Sequence, residues 1–143
     1  MSKKLLTAVA LLLTGYAVGR VSSPQVVAAQ AAAGHVYELR TYTAVEGKLP
    51  NVVARFRDHT RQIFDKHNMK SVGYWTPSEG PTAETTLVYI LEHPSREEAR
   101  KNWAAFSADP DWQKAKAESE AAGRIVAKAE SVFLNPTDFS PIK

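Results

Sequence analysis

The sequence predicts an α+β domain of the ferredoxin-like kind, β-α-β-β-α-β in chain order, whose four-stranded antiparallel sheet carries its helices on one face. Three observations predict it. Strand-like runs stand at 35–44, 70–76, 85–92 and 124–134. Apolar residues at helical spacing separate the first run from the second and the third from the fourth, while a link rich in Pro and Gly joins the second to the third. The chain of 143 residues is 44% hydrophobic, enough to bury one core and to count as one domain.

The chain opens on a targeting element. Lys3 and Lys4 precede an apolar run from Leu5 to Val18, and Ala29-Gln30-Ala31 or Ala31-Ala32-Ala33 supplies an A-x-A cleavage site. Residues 1–33 therefore read as a signal peptide and Ala-rich spacer, residues 34–143 as the domain, and the expected location is periplasmic or secreted. The alternative is a membrane anchor over residues 5–21, but the run is short of the roughly 20 apolar residues of a spanning helix and Arg20 interrupts it. Any membrane contact would come only through that segment left uncleaved. Three of the 18 basic residues (Lys3, Lys4, Arg20) stand in the leader, which has no acid, so 15 bases balance 15 acids in the remainder. A neutral domain speaks against a nucleic-acid partner. No cysteine is present, which excludes disulfides, thiolate metal sites and cysteine nucleophiles.

The first strand, VYELRTYT, sets Tyr37, Leu39 and Thr41 on one face and Val36, Glu38, Arg40 and Tyr42 on the other. The next helix is long: Leu49, Val53, Phe56, Thr60, Ile63, Phe64 and His67 recur on one face, Pro50 sits in its first turn, and Asn68 is a left-handed stop. KSVGYWT and TTLVYILE make an antiparallel hairpin around Pro77–Glu84. Ser95-Arg-Glu-Glu98 is a capping box that opens a helix with Ala99, Trp103 and Phe106 turned inward. Asp109-Pro110 caps a second short helix carrying Trp112, Ala115, Ser119 and Ala122 up to Gly123. RIVAKAESVFL is the last strand, and the two prolines of NPTDFSPIK end it.

In this topology the first strand lies between the third and the last. Tyr37 and Leu39 are expected under the helices, with Glu38, Arg40 and Tyr42 on the bare face. There they would meet Lys128 and Glu130 of the last strand, as cross-strand ion pairs or as the lining of a pocket. A second copy of the sheet is the natural cover for that face, which makes the chain a homodimer by isologous pairing. Trp75 or Tyr74, adjacent on one strand, can add an aromatic ring.

The chain resembles the NIPSNAP family of the dimeric α/β-barrel superfamily. ELRTY (38–42), GKL (47–49), FRDHT (56–60), GYW (73–75), LVYIL (87–91), WAAFSADPDWQKAKAESE (103–120) and PTDFSP (136–141) carry the likeness over residues 35–142. The resemblance implies a ferredoxin-like protomer dimerising through its sheet. It brings no agreed catalytic motif, although the superfamily includes small monooxygenases, haem-degrading enzymes and dye peroxidases.

Two functions follow as expectations. One is a small-molecule site, oxygenase-like in one version, lined by Glu38, Arg40, Tyr42, Trp75, Lys128 and Glu130. In it Arg40 orients an anionic or aromatic ligand and Glu38 or Tyr42 moves a proton. The other is a non-enzymatic interaction module using the outer helices or the PTDFSP tail. Neither a metal nor a cofactor is expected. His59 and His67 lie eight residues apart, about 80° round a helix, and no HExxH, Walker A, G-x-G-x-x-G or G-x-S-x-G motif occurs.

Overall fold

β1 (Val36–Ala44) pairs antiparallel with two neighbours, and its partners' apolar rows decide which way its side chains point. A computed structural model describes residues 35–143, so the signal peptide, the spacer and the anchor alternative lie outside the described residues. After β1 come α1 (Leu49–Arg55), a π-helical turn (Phe56–Thr60) and α2 (Arg61–Lys66), one continuous helix with a single widened turn. β2 (Lys70–Trp75) and β3 (Thr86–His93) form the hairpin. α3 (Arg96–Ala108) and α4 (Pro110–Ser119) follow, and β4 (Val126–Leu134) closes the sheet in the order β2-β3-β1-β4. The ferredoxin-like arrangement and the central place of β1 are as the sequence predicts.

The caps act where the sequence puts them. Ser95 Oγ accepts the Glu98 amide at 3.1 Å, and Asp109 accepts the Asp111 amide at 2.8 Å. Asn68 ends the long helix at φ 55°, and Gly123 turns the chain out of α4 at φ 113°. Asp109 also clasps the end of α2, with Lys66 Nζ at 2.8 Å and His67 Nε2 at 2.6 Å. The hydrogen bond from Lys66, then that from His67, holds the Asp109 carboxyl below the usual carboxylate range, against the effect of burial.

The orientation of β1 is the reverse of the expectation. Glu38 pairs with Leu91, Arg40 with Tyr89 and Tyr42 with Leu87, all three partners being buried under the helices. Opposed residues of an antiparallel pair share a face, so Glu38, Arg40 and Tyr42 point at the helices, and Tyr37, Leu39 and Thr41 point away. The reason is collective. Leu87, Tyr89 and Leu91 bury more apolar area than β1 alone can direct, and one register serves both strands. The core that results is aromatic: Phe56, Phe64 and Tyr89 meet Tyr42, Tyr74, Trp103 and Phe106 at centroid distances of 4.9–6.2 Å.

Candidate functional site

Glu38 is an anion inside this core, 2% exposed. Its Oε1 accepts from Ser131 Oγ at 2.6 Å and Arg40 Nη1 at 3.0 Å; its Oε2 accepts from Trp103 Nε1 at 2.7 Å and lies 3.0 Å from His93 Nε2. Burial alone would raise its pKa. The bonds from His93, Ser131 and Trp103 and the charge of Arg40 outweigh that and hold it at about 2. Three strands and α3 thus supply one donor each around the carboxylate, with Arg40 on β1 itself.

Arg40 is fixed from two sides. Its guanidinium lies 4.5 Å from the Trp103 ring centroid and 5.7 Å from that of Tyr42, and it pairs with Glu38. Tyr89 stands opposite on β3, its phenol raised well above the ordinary value by burial and therefore neutral. Among the described residues, four buried side-chain atoms have no hydrogen-bond partner: Arg55 Nε beside α4, and Arg40 Nε, Tyr89 Oη and His93 Nδ1. Such atoms are rare in folded proteins, and three of these four stand around one row of residues.

Tyr42 carries this row to the surface. It is partly buried against Phe56 and Tyr89, and it also lines an open groove of about 590 Å³ between α4 and β4. Trp112, Arg55, Lys116, Glu120 and Arg124 surround the groove, and Val126 and Ala129 form its floor. The Arg55 guanidinium packs 5.1 Å from the Trp112 ring and pairs with Glu120 at 3.3 Å, so its charge is taken. Lys116 has no ion pair among the described residues, and Arg124 reaches only backbone carbonyls of β4. The groove is aromatic with a surplus of positive charge.

The six side chains read from the sequence as one pocket divide between the two faces of the sheet. Glu38, Arg40 and Tyr42 are together on the helix side. Lys128 and Glu130, opposite Thr43 and Thr41, pair with each other at 2.7 Å on the bare side, and Trp75, opposite Val88, lies there too, 51% exposed. Lys128 and Glu130 are therefore not neighbours of Glu38 and Arg40, because β4 presents Ala129, Ser131 and Phe133 to the face that Glu38 and Arg40 share. Sequence reasoning turned Trp103 inward as core, but did not bring it, His93, Ser131 or Tyr89 to the row of Glu38 and Arg40. A signal was available: Leu87, Tyr89, Leu91 and His93 alternate, and an antiparallel partner must set its own row beside them. Among the described residues, no group of three or more His, Cys, Asp or Glu is placed to hold a metal ion.

Comparison with known proteins places this architecture. The sequence profile of the NIPSNAP family matches residues 37–141. A NIPSNAP family protein of unknown function from Agrobacterium tumefaciens is 26% identical at a TM-score of 0.67, over 78% of this chain and 96% of its own. An uncharacterized NIPSNAP-like domain protein from Burkholderia xenovorans is 19% identical at a TM-score of 0.66, over 77% and 91%. SnoaB, a cofactor-independent oxygenase from Streptomyces nogalater, has the same fold at 15% identity and a TM-score of 0.51, over 76% and 99%. No curated protein matches the chain. With the family's profile running from the second residue of β1 into the C-terminal tail, and with solved members sharing its fold, the chain belongs to the NIPSNAP family.

Proposed function

We propose that this chain binds a small anionic aromatic molecule in the groove between α4 and β4. The observation that carries the reading is Tyr42, which belongs at once to the buried charged row and to a groove whose other walls are Trp112, Lys116 and Arg124. A ring can stack on Tyr42 or Trp112 while its acidic group meets Lys116 and Arg124. Glu38 does not serve as the proton carrier, since a carboxyl at about 2 is ionised at neutral pH and its oxygens are occupied by four partners. Glu38 and Arg40 instead hold the wall behind Tyr42.

Titration with naphthalene-2-sulfonate, followed by calorimetry and by quenching of Trp112, tests the reading. Lys116→Ala is expected to weaken binding about tenfold, the scale of one charge-assisted hydrogen bond. Wild-type affinity in both Lys116→Ala and a Lys116→Ala/Arg124→Ala double variant would sink it.

A second reading draws on the likeness to SnoaB: oxygenation of a bound phenol without a cofactor, with Tyr42 as hydrogen-bond donor to the substrate anion. Substrate-dependent oxygen uptake by the wild type that Tyr42→Phe loses is the expected result. We also propose a homodimer through the bare sheet face, and a periplasmic or secreted mature protein, for which the mass of the N-terminus purified from the native cell is the check.

A further inference from the structure

On the opposite flank of the long helix a second cavity, about 310 Å³, opens between that helix and the β2–β3 hairpin. Val53, Phe56, Tyr74 and Leu87 line it, and Arg57 and Arg61 complete the wall. Its apolar side is fixed by the fold. Leu87 is buried, the Tyr74 ring stacks on Tyr89 at 5.6 Å, and the Tyr74 hydroxyl is held by Ser71 Oγ at 2.6 Å. The two arginines are exposed and have no ion pair among the described residues. The π turn sets up this division. Arg55 goes to the α4 side, where Glu120 takes its charge, while Arg57 and Arg61 go to the hairpin side with their charges free.

We infer that this cavity is a binding site for an apolar monocarboxylate, with the hydrocarbon body against Phe56, Tyr74 and Leu87 and the carboxylate between Arg57 and Arg61. The volume is at the lower end of small-ligand pockets, about 300–1,000 Å³, which suits a short chain or one ring. Guanidinium groups grip a carboxylate through paired N–H donors, and an apolar pocket with convergent cations selects amphiphilic acids over neutral lipids. Asp65, whose charge is felt at the Tyr74 phenol, stands one turn beyond Arg61 and disfavours a dianion.

Calorimetry with octanoate and with octanol, at matched ionic strength on the full chain, tests the inference. The wild type is expected to bind octanoate, and Arg57→Ala/Arg61→Ala to weaken it about tenfold with octanol little changed, the scale of two solvent-exposed charge contacts. Val53→Trp, which fills the cavity mouth, is expected to abolish binding of both. Should that variant fail to fold, the arginine pair at exposed positions carries the test. A folded wild type that does not bind octanoate, an arginine variant that binds it as tightly, or a folded Val53→Trp that still binds would each overturn the assignment. Naphthalene-2-sulfonate held at the Tyr42 groove is expected not to displace octanoate, which separates this site from that one.

Discussion

Glu38 is where the fold holds its most concentrated charge. Burying a carboxylate is costly unless every lone pair is used and a cation stands beside it. Ser131, His93, Trp103 and Arg40 meet that requirement. Removing the charge strands Arg40 in the core, so Glu38→Gln is expected to lower stability by about 3 kcal/mol, read from urea unfolding. The same carboxylate gives a pH dependence. Its pKa falls from 4.5 in the unfolded chain to about 2 in the fold, so its contribution is complete above pH 4.5 and is lost as pH drops from there toward 2. About 3 kcal/mol is at stake over that window, and Glu38→Gln is expected to flatten the acid limb of the stability curve.

At the scale of elements, the long helix depends on its π turn and the sheet edge on a glycine. The Arg61 amide reaches back to the Phe56 carbonyl, and Thr60 Oγ1 donates to the Arg55 carbonyl at 3.2 Å, which occupies an acceptor in the widened turn. The extra residue lets Val52 and Phe56 of one half and Ile63 and Phe64 of the other all reach the core. At the edge, the Trp75 indole lies over Gly73, where an added Cβ would come within 2.7 Å of the ring. Gly73→Ala is expected to displace Trp75 and shift its emission, with little change elsewhere in the sheet. Ser95→Ala removes the cap of α3 and is expected to cost about 1 kcal/mol in thermal or urea unfolding.

At the scale of the whole molecule, the bare face of the sheet carries an apolar row beside the Lys128–Glu130 pair. Ile90, Leu39 and Val132 lie side by side across β3, β1 and β4, with Val88 and Leu134 nearby and Trp75 on the β2 edge. The C-terminal tail covers only part of it, through the Tyr37 hydroxyl bonded to the Lys143 carbonyl at 2.7 Å. A patch of this kind suits a second copy of itself, provided that the contact reaches the roughly 1,200–2,000 Å² of a stable interface. Leu39→Asp places an unpaired charge at its centre and is expected to convert dimer to monomer in sedimentation; a wild type that sediments as a monomer would remove the proposal.

The kinds and order of the elements are legible in the sequence, because each announces itself locally: two-residue alternation, helical spacing, a Ser-x-x-Glu box, Asp-Pro, and the stops at Asn68 and Gly123. The family is legible there too, through motifs spread along the domain. The sequence did not decide which face of β1 is buried. Alternation divides a strand into two rows without saying which row meets the helices, and the polarity of Glu38 and Arg40 argued for water. Only the register against Leu87, Tyr89 and Leu91 settled that, since one sheet face must bury the apolar rows of every strand at once. The same tertiary fact parted Lys128, Glu130 and Trp75 from Glu38, and brought His93, Trp103 and Ser131 to it from 55, 65 and 93 residues away.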